Sequence, residues 1–185
     1  MTAQISDIFK FNGEEYDIVG LDGPDLFDPN KEGFEPQMAS TACWRGFQLT
    51  FEANNGFIYL NEMSIRQEKS KVFNGIKPVK GEWRFTHKYV DMKHKLPFTG
   101  GILIGKNFIQ SMYVYMGFQR PIAYRTVIEL VIKDGGILEV IDHSSYYRKL
   151  RRKNSTKGAT LQSSSDDDIK DFVEKSFSRR YEIDK

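Results

Sequence analysis

Three short turns constrain this chain more than any other feature. Asn12-Gly13 stands between the apolar runs Ile8–Phe11 and Tyr16–Val19. Asn54-Asn55-Gly56 links the run that starts at Phe47 to Phe57–Ile65, and Asp134-Gly135-Gly136 links Tyr124–Lys133 to Ile137–Ile141. Asn, Asp and Gly reach the left-handed backbone angles of tight hairpins, so each turn predicts a pair of antiparallel strands. The flanks agree. Phe47, Leu49 and Phe51 alternate with Gln48, Thr50 and Glu52, and Tyr124, Thr126, Ile128, Leu130 and Ile132 alternate with Arg125, Val127, Glu129, Val131 and Lys133. A period of two places one side of each run against a core.

Composition points the same way. Ile, Val, Phe and Tyr number 16, 9, 14 and 9, against 6 Ala and 10 Leu. Branched and aromatic side chains suit a pleated surface and lose rotamer freedom in helices, so strands are favoured. Trp83–Val90, Gly101–Ile104 and Met112–Met116 are further candidates, which brings the expected total to about nine. No strand–helix–strand alternation occurs, so a parallel doubly wound sheet is not expected. The predicted class is mainly β (α+β): an antiparallel sheet, sandwich or partly closed barrel.

One amphipathic helix is predicted at the C-terminus. Ser165 is a good N-cap, Asp166, Asp167 and Asp168 favour the positive end of a helix dipole, and Ile169, Phe172, Val173, Ser176, Phe177 and Arg180 recur at helical spacing. The expected organisation is therefore a β domain over 1–145, a basic segment and Ser/Thr/Gly-rich linker over 146–164, and a helix over 165–185 packed on the same domain.

The 185-residue length suits one domain. No run reaches the roughly 18 apolar residues of a membrane span, and the first residues lack a secretory pattern. With one cysteine, no internal disulfide is possible, and a reducing cytoplasm is the expected compartment. The net charge of +2 conceals a division. Residues 146–185 carry 11 basic and 7 acidic side chains, net +4, which leaves 1–145 at net −2. The aperiodic stretch from Asp22 to Ser40 opens with Asp22, Asp25, Asp28, Glu32 and Glu35 against Lys31 alone, net −4. Aperiodic stretches of that length inside a compact domain are often functional.

Several motifs resemble known chemistry without completing it. Gly100–Asn107 matches G-x-x-x-x-G-K but lacks the Ser/Thr that holds magnesium, and it reads as a strand whose glycines relieve crowding or mark a bulge. Asp28-Pro29-Asn30-Lys31-Glu32-Gly33 begins like a calcium loop, yet its twelfth position is Ala39 and no helices flank it. His87, Asp91 and His94 are metal-ligand types, but on a strand His94 points away from the other two. Cys43 has no local His or helix N-terminus to activate it, so a buried structural thiol is favoured. No catalytic or cofactor signature appears, and no cofactor is expected.

These features favour an interaction protein over an enzyme. The expected partner is a protein, in the most concrete form a basic toxin or nuclease neutralised by an immunity-type binder. Asp22, Asp25, Asp28, Glu32 and Glu35 would supply complementary charge, with Trp44 and Arg45 as central contacts. The alternative is a small-ligand- or metal-binding barrel, or an enzyme of unfamiliar type, using Cys43, His87, Asp91 and His94. A third reading has Tyr146, Tyr147, Arg148, Lys149, Arg151, Arg152 and Lys153 contacting nucleic acid, where cations neutralise phosphates and Tyr stacks on bases.

Overall fold

The computed structural model describes residues 2–153 and 176–181. Ten strands form one sheet: β1 (Ile8–Phe11), β2 (Glu14–Asp22), β3 (Phe47–Asn54), β4 (Phe57–Ile65), β5 (Val79–Lys80), β6 (His87–Tyr89), β7 (His94–Lys95), β8 (Gly100–Phe108), β9 (Tyr124–Lys133) and β10 (Gly136–Asp142). Helix α1 covers Ser144–Lys153. The three turns that dominate the sequence join β1 to β2, β3 to β4 and β9 to β10, and Asn12, Asn55 and Asp134 all take positive φ.

In space the strands run β10-β9-β8-β2-β1-β3-β4, with β6 and β5 beyond β4 and β7 pairing the other half of β4. The strand pairs are antiparallel except β1 with β3. The sheet curls until β10 returns to β4 at a single register position, Gly136 opposite Phe57. There the Ile58 N–H donates to Gly135 O and the Ile137 N–H to Gly56 O, at 2.9 and 2.8 Å. The ring is thus closed only at its hairpin turns, and the sheet is ring-like rather than a continuous barrel.

Alternation decides which residues lie inside. Ile18, Phe51, Leu60, Ile102, Ile104 and Leu130 belong to the large inner cluster. The intervening positions on β2, β8 and β9 face outward, where Val19, Leu103 and Val127 form a second cluster with Ala123, Tyr124 and Tyr147. Helix α1 lies on that outer cluster, burying Tyr147.

Four features depart from expectation. Met112–Met116 alternates like a strand but has no strand to pair with, because β8 and β9 on either side of it pair with each other. Instead, the Gln119 amide clamps Val114, accepting from its N–H at 3.1 Å and donating to its carbonyl at 3.0 Å. The Trp83–Val90 strand shrinks to His87–Tyr89, since Trp83 takes a φ of 56° that no strand accommodates. The basic segment from Tyr146 is helical, not a linker start. Of the helix expected over 165–185, Ser176 and Phe177 are helical, whereas 178–181 are extended or irregular with Arg180 bridging Leu21 on β2; 165–175 and 182–185 lie outside the described residues.

Candidate functional surface

The acidic loop is anchored from within. Leu26, Phe27 and Phe34 are buried in the inner core, and Phe34 meets Tyr89 edge-to-face with ring centroids 5.5 Å apart. Local bonds then fix the turn: Asp28 accepts from the Asn30 N–H and side-chain amide, and Glu32 N–H donates to Pro29 O at 3.1 Å. The Lys71 ammonium bonds the Glu32 carbonyl and lies 4.8 Å from the Phe34 ring centre. Asp22, Asp25, Glu32 and Glu35 are consequently exposed on a fixed backbone, with Asp28 half-buried.

A second element meets this loop: the described segment 176–181, which lies across the outer face of β2. Leu21 N–H donates to Arg179 O at 2.7 Å, and Phe118 N–H to Ser176 O at 2.9 Å. Tyr181 fits over two outward-facing strand glycines. A methyl group at Gly20 would stand 2.7 Å from the Tyr181 ring, and one at Gly101 would overlap its hydroxyl. Strand glycines commonly mark such a close approach. The Tyr181 hydroxyl donates to Glu129 at 2.7 Å, and the other Glu129 oxygen lies 2.7 Å from His143 Nε2. Burial and the adjacent Glu129 carboxylate hold the Tyr181 hydroxyl well above the usual phenol range.

Beneath the same segment lies a buried ion cluster. Asp7, only 2% exposed, accepts from Arg45 Nη1 and Nη2 at 2.9 and 3.0 Å, from Arg179 Nη1 at 2.7 Å and from the Leu49 N–H at 3.0 Å. Burial alone would raise the Asp7 pKa. The two guanidiniums outweigh it and bring the carboxyl down to about 2. Both arginines also stand over the Phe118 ring, at 5.3 and 5.2 Å.

This geometry redistributes the expected contacts. Arg45 also acts as an internal strut: its fork is bonded to Asp7, 38 residues away in the chain, and its side chain is largely buried. Trp44 remains 45% exposed, and its ring stacks on Phe177 at 5.1 Å and 18°. Arg179 meanwhile approaches Asp25 at 3.7 Å, and Asp25 keeps 68% of its side chain exposed. Phe177 and Arg179 are two residues apart, a span of about 7 Å. The 176–181 segment therefore brings Trp44 and the start of the acidic loop to one side of the molecule, an adjacency that no local sequence signal carries.

The residues of the metal alternative are separated. His87 pairs opposite Ile65 and His94 opposite Leu60 on β4, five residues or about 17 Å apart along the strand. His94 is taken up by Asn74 and the edges of Phe27 and Phe73. Among the described residues, no group of three His, Cys, Asp or Glu side chains could hold a metal ion. Cys43 is buried, its thiol 3.4 Å from Phe47 O, and burial pushes its pKa up.

In the basic segment, Tyr147 is buried, and Arg151 turns inward to donate to the Ile122 and Tyr124 carbonyls at 2.9 and 2.8 Å. Arg148, Lys149, Arg152 and Lys153 stay exposed on the opposite side, with Tyr146 half-buried. Among the described residues, no helix is long and apolar enough to cross a membrane. No family model, curated protein or solved structure matches this chain.

Proposed function

We propose that this protein is an interaction module whose acidic 22–35 loop, flanked by Trp44 and Phe177, docks a basic protein surface. The observation that carries this reading is the pre-organised loop. Its apolar side chains are seated in the core and its turn is bonded locally, so its carboxylates face water without needing to be ordered when a partner arrives. Fixed charge favours fast, selective encounter and lowers the ordering cost of binding. The stacked Trp44–Phe177 pair supplies a rigid aromatic contact of the kind that carries affinity at interfaces. The most concrete version is an immunity-type protein that neutralises a basic toxin or nuclease.

The test compares two baits in lysate from the cell of origin: the native chain and Asp22→Lys/Glu32→Lys/Glu35→Lys, which takes the loop from −4 to +2 by reversing three exposed charges. A protein of high isoelectric point retained stoichiometrically by the first and lost by the second supports the reading. Equal retention by both baits refutes the role of the loop.

A further inference from the structure

A cleft borders the start of the acidic loop at Asp22, Gly23 and Pro24. It is an open space of about 1000 Å³ between the outer side of β2, the turn at Phe118–Ile122, helix α1 and the 176–181 segment. Its lining is about as polar as apolar, and Val19, Phe118, Ile122, Tyr147, Leu150 and Tyr181 supply the apolar part. That volume is at the upper end of the range of small-molecule sites, which pair apolar walls with a few convergent polar groups.

The polar groups here divide into committed and free. Both ends of the Gln119 amide hold Val114, the Tyr181 hydroxyl is bound to Glu129, and the Ser178 hydroxyl accepts from the Arg180 N–H. Arg120 and Arg180 are different. Neither guanidinium has a hydrogen-bond or ion-pair partner among the described residues, and Arg120 is half-buried. The three other arginines that pack against this region, Arg45, Arg151 and Arg179, all have acceptors. Asp22 is the single acidic residue among the described ones lining the cleft, so the lining carries a net charge of +1.

A guanidinium is a planar fork of donors with no acceptor of its own, and it matches carboxylate and phosphate oxygens two at a time. Two unmatched forks beside an apolar wall form a site for an anion with a hydrophobic body. We propose that this cleft binds a small organic anion, a carboxylate or a phosphate monoester. Arg120 and Arg180 receive its oxygens, and the Phe118, Ile122 and Leu150 side receives its apolar part. The cleft shares Asp22 with the acidic loop, but its two arginines lie outside that loop, so Arg120→Gln/Arg180→Gln tests this site and Glu32→Lys/Glu35→Lys tests the loop separately.

The probes are octanoate and phenyl phosphate, with octylammonium and inorganic phosphate as controls, titrated calorimetrically into the full chain. Saturable one-to-one binding of at least one organic anion is expected, at least tenfold tighter than octylammonium. Arg120→Gln/Arg180→Gln should weaken it at least tenfold, as expected for losing two charge-assisted contacts. Arg180→Gln alone, at an exposed and unpartnered side chain, should weaken it at least threefold and keeps the test valid if the double variant misfolds. The proposal is overturned if neither organic anion saturates at millimolar concentration, if octylammonium binds equally well, or if the arginine variants bind like the native chain. Inorganic phosphate binding as tightly as phenyl phosphate would overturn the assignment of the apolar wall.

Discussion

Replacing Asp7 by Asn removes one charge from the most heavily bonded carboxylate in the structure while keeping its size. Asp7 accepts three guanidinium contacts and the Leu49 N–H. An amide offers a single acceptor oxygen and turns an NH₂ towards groups that only donate, so Arg45 loses its bonded counter-charge and Arg179 keeps only Asp25, at 3.7 Å. Breaking a buried ion pair in this way costs about 3–5 kcal/mol. A second arm uses pH. The folded carboxyl titrates near 2, below its ordinary value of 3.8. The group therefore contributes stability that is complete above about pH 4 and disappears as pH falls through 2. The gap of nearly two units corresponds to about 2 kcal/mol. Urea unfolding of the native chain and Asp7→Asn at pH 7 and pH 2.5 reads both quantities. The variant should be destabilised by at least 3 kcal/mol at pH 7, and that difference should narrow towards pH 2.5. A loss below 1 kcal/mol with no narrowing would refute the claim that Asp7 anchors the 176–181 segment.

Two further outcomes follow from the packing. Gly101→Ala puts a methyl group where the Tyr181 hydroxyl sits, so it should displace the 176–181 segment at a cost of about 1–3 kcal/mol. Faster protease cleavage within 176–181 would report it, and native-like protection would contradict it. Cys43 should react with a thiol reagent at least about a hundredfold more slowly in the native protein than in urea, since the thiolate is the reactive form and burial disfavours it. Reaction at the free-thiol rate would show that the site is open.

The hairpins were legible in the sequence because their information is local: a turn dipeptide that accepts positive φ, with period-two runs on each side. The acidic loop was legible for the same reason, since its charge and its lack of periodicity lie in one stretch. Ring closure was not, because Gly136 meets Phe57 across 79 positions and nothing near either residue announces it. The internal role of Arg45 was not legible, because Asp7, to which it bonds, stands 38 residues away in the chain. The helix at Ser144 was hidden by its own charge. Tyr147 and Leu150 are spaced to face the sheet, but the surrounding Arg and Lys residues read as a solvated segment. A signal was available: the Asp142 carboxylate accepts from the Ser144 N–H, a capping arrangement at the helix start. The glycines of Gly100–Asn107 are expected to relieve crowding or mark a bulge, and Gly101 makes room for an aromatic ring arriving from residue 181.

The central claim is that fixed charge on the 22–35 loop drives recognition of a basic partner. Its most direct test is the association rate of the captured partner by stopped-flow, measured from low to high salt. The native chain should associate fast at low salt and slow as ions screen the loop, within the roughly 10⁸ to 10⁵ M⁻¹s⁻¹ that separates steered from neutral encounters. Asp22→Lys/Glu32→Lys/Glu35→Lys should associate at least tenfold more slowly at low salt, with the difference vanishing at about 1 M salt. Equal rates for the two chains, or rates indifferent to salt, would contradict the claim.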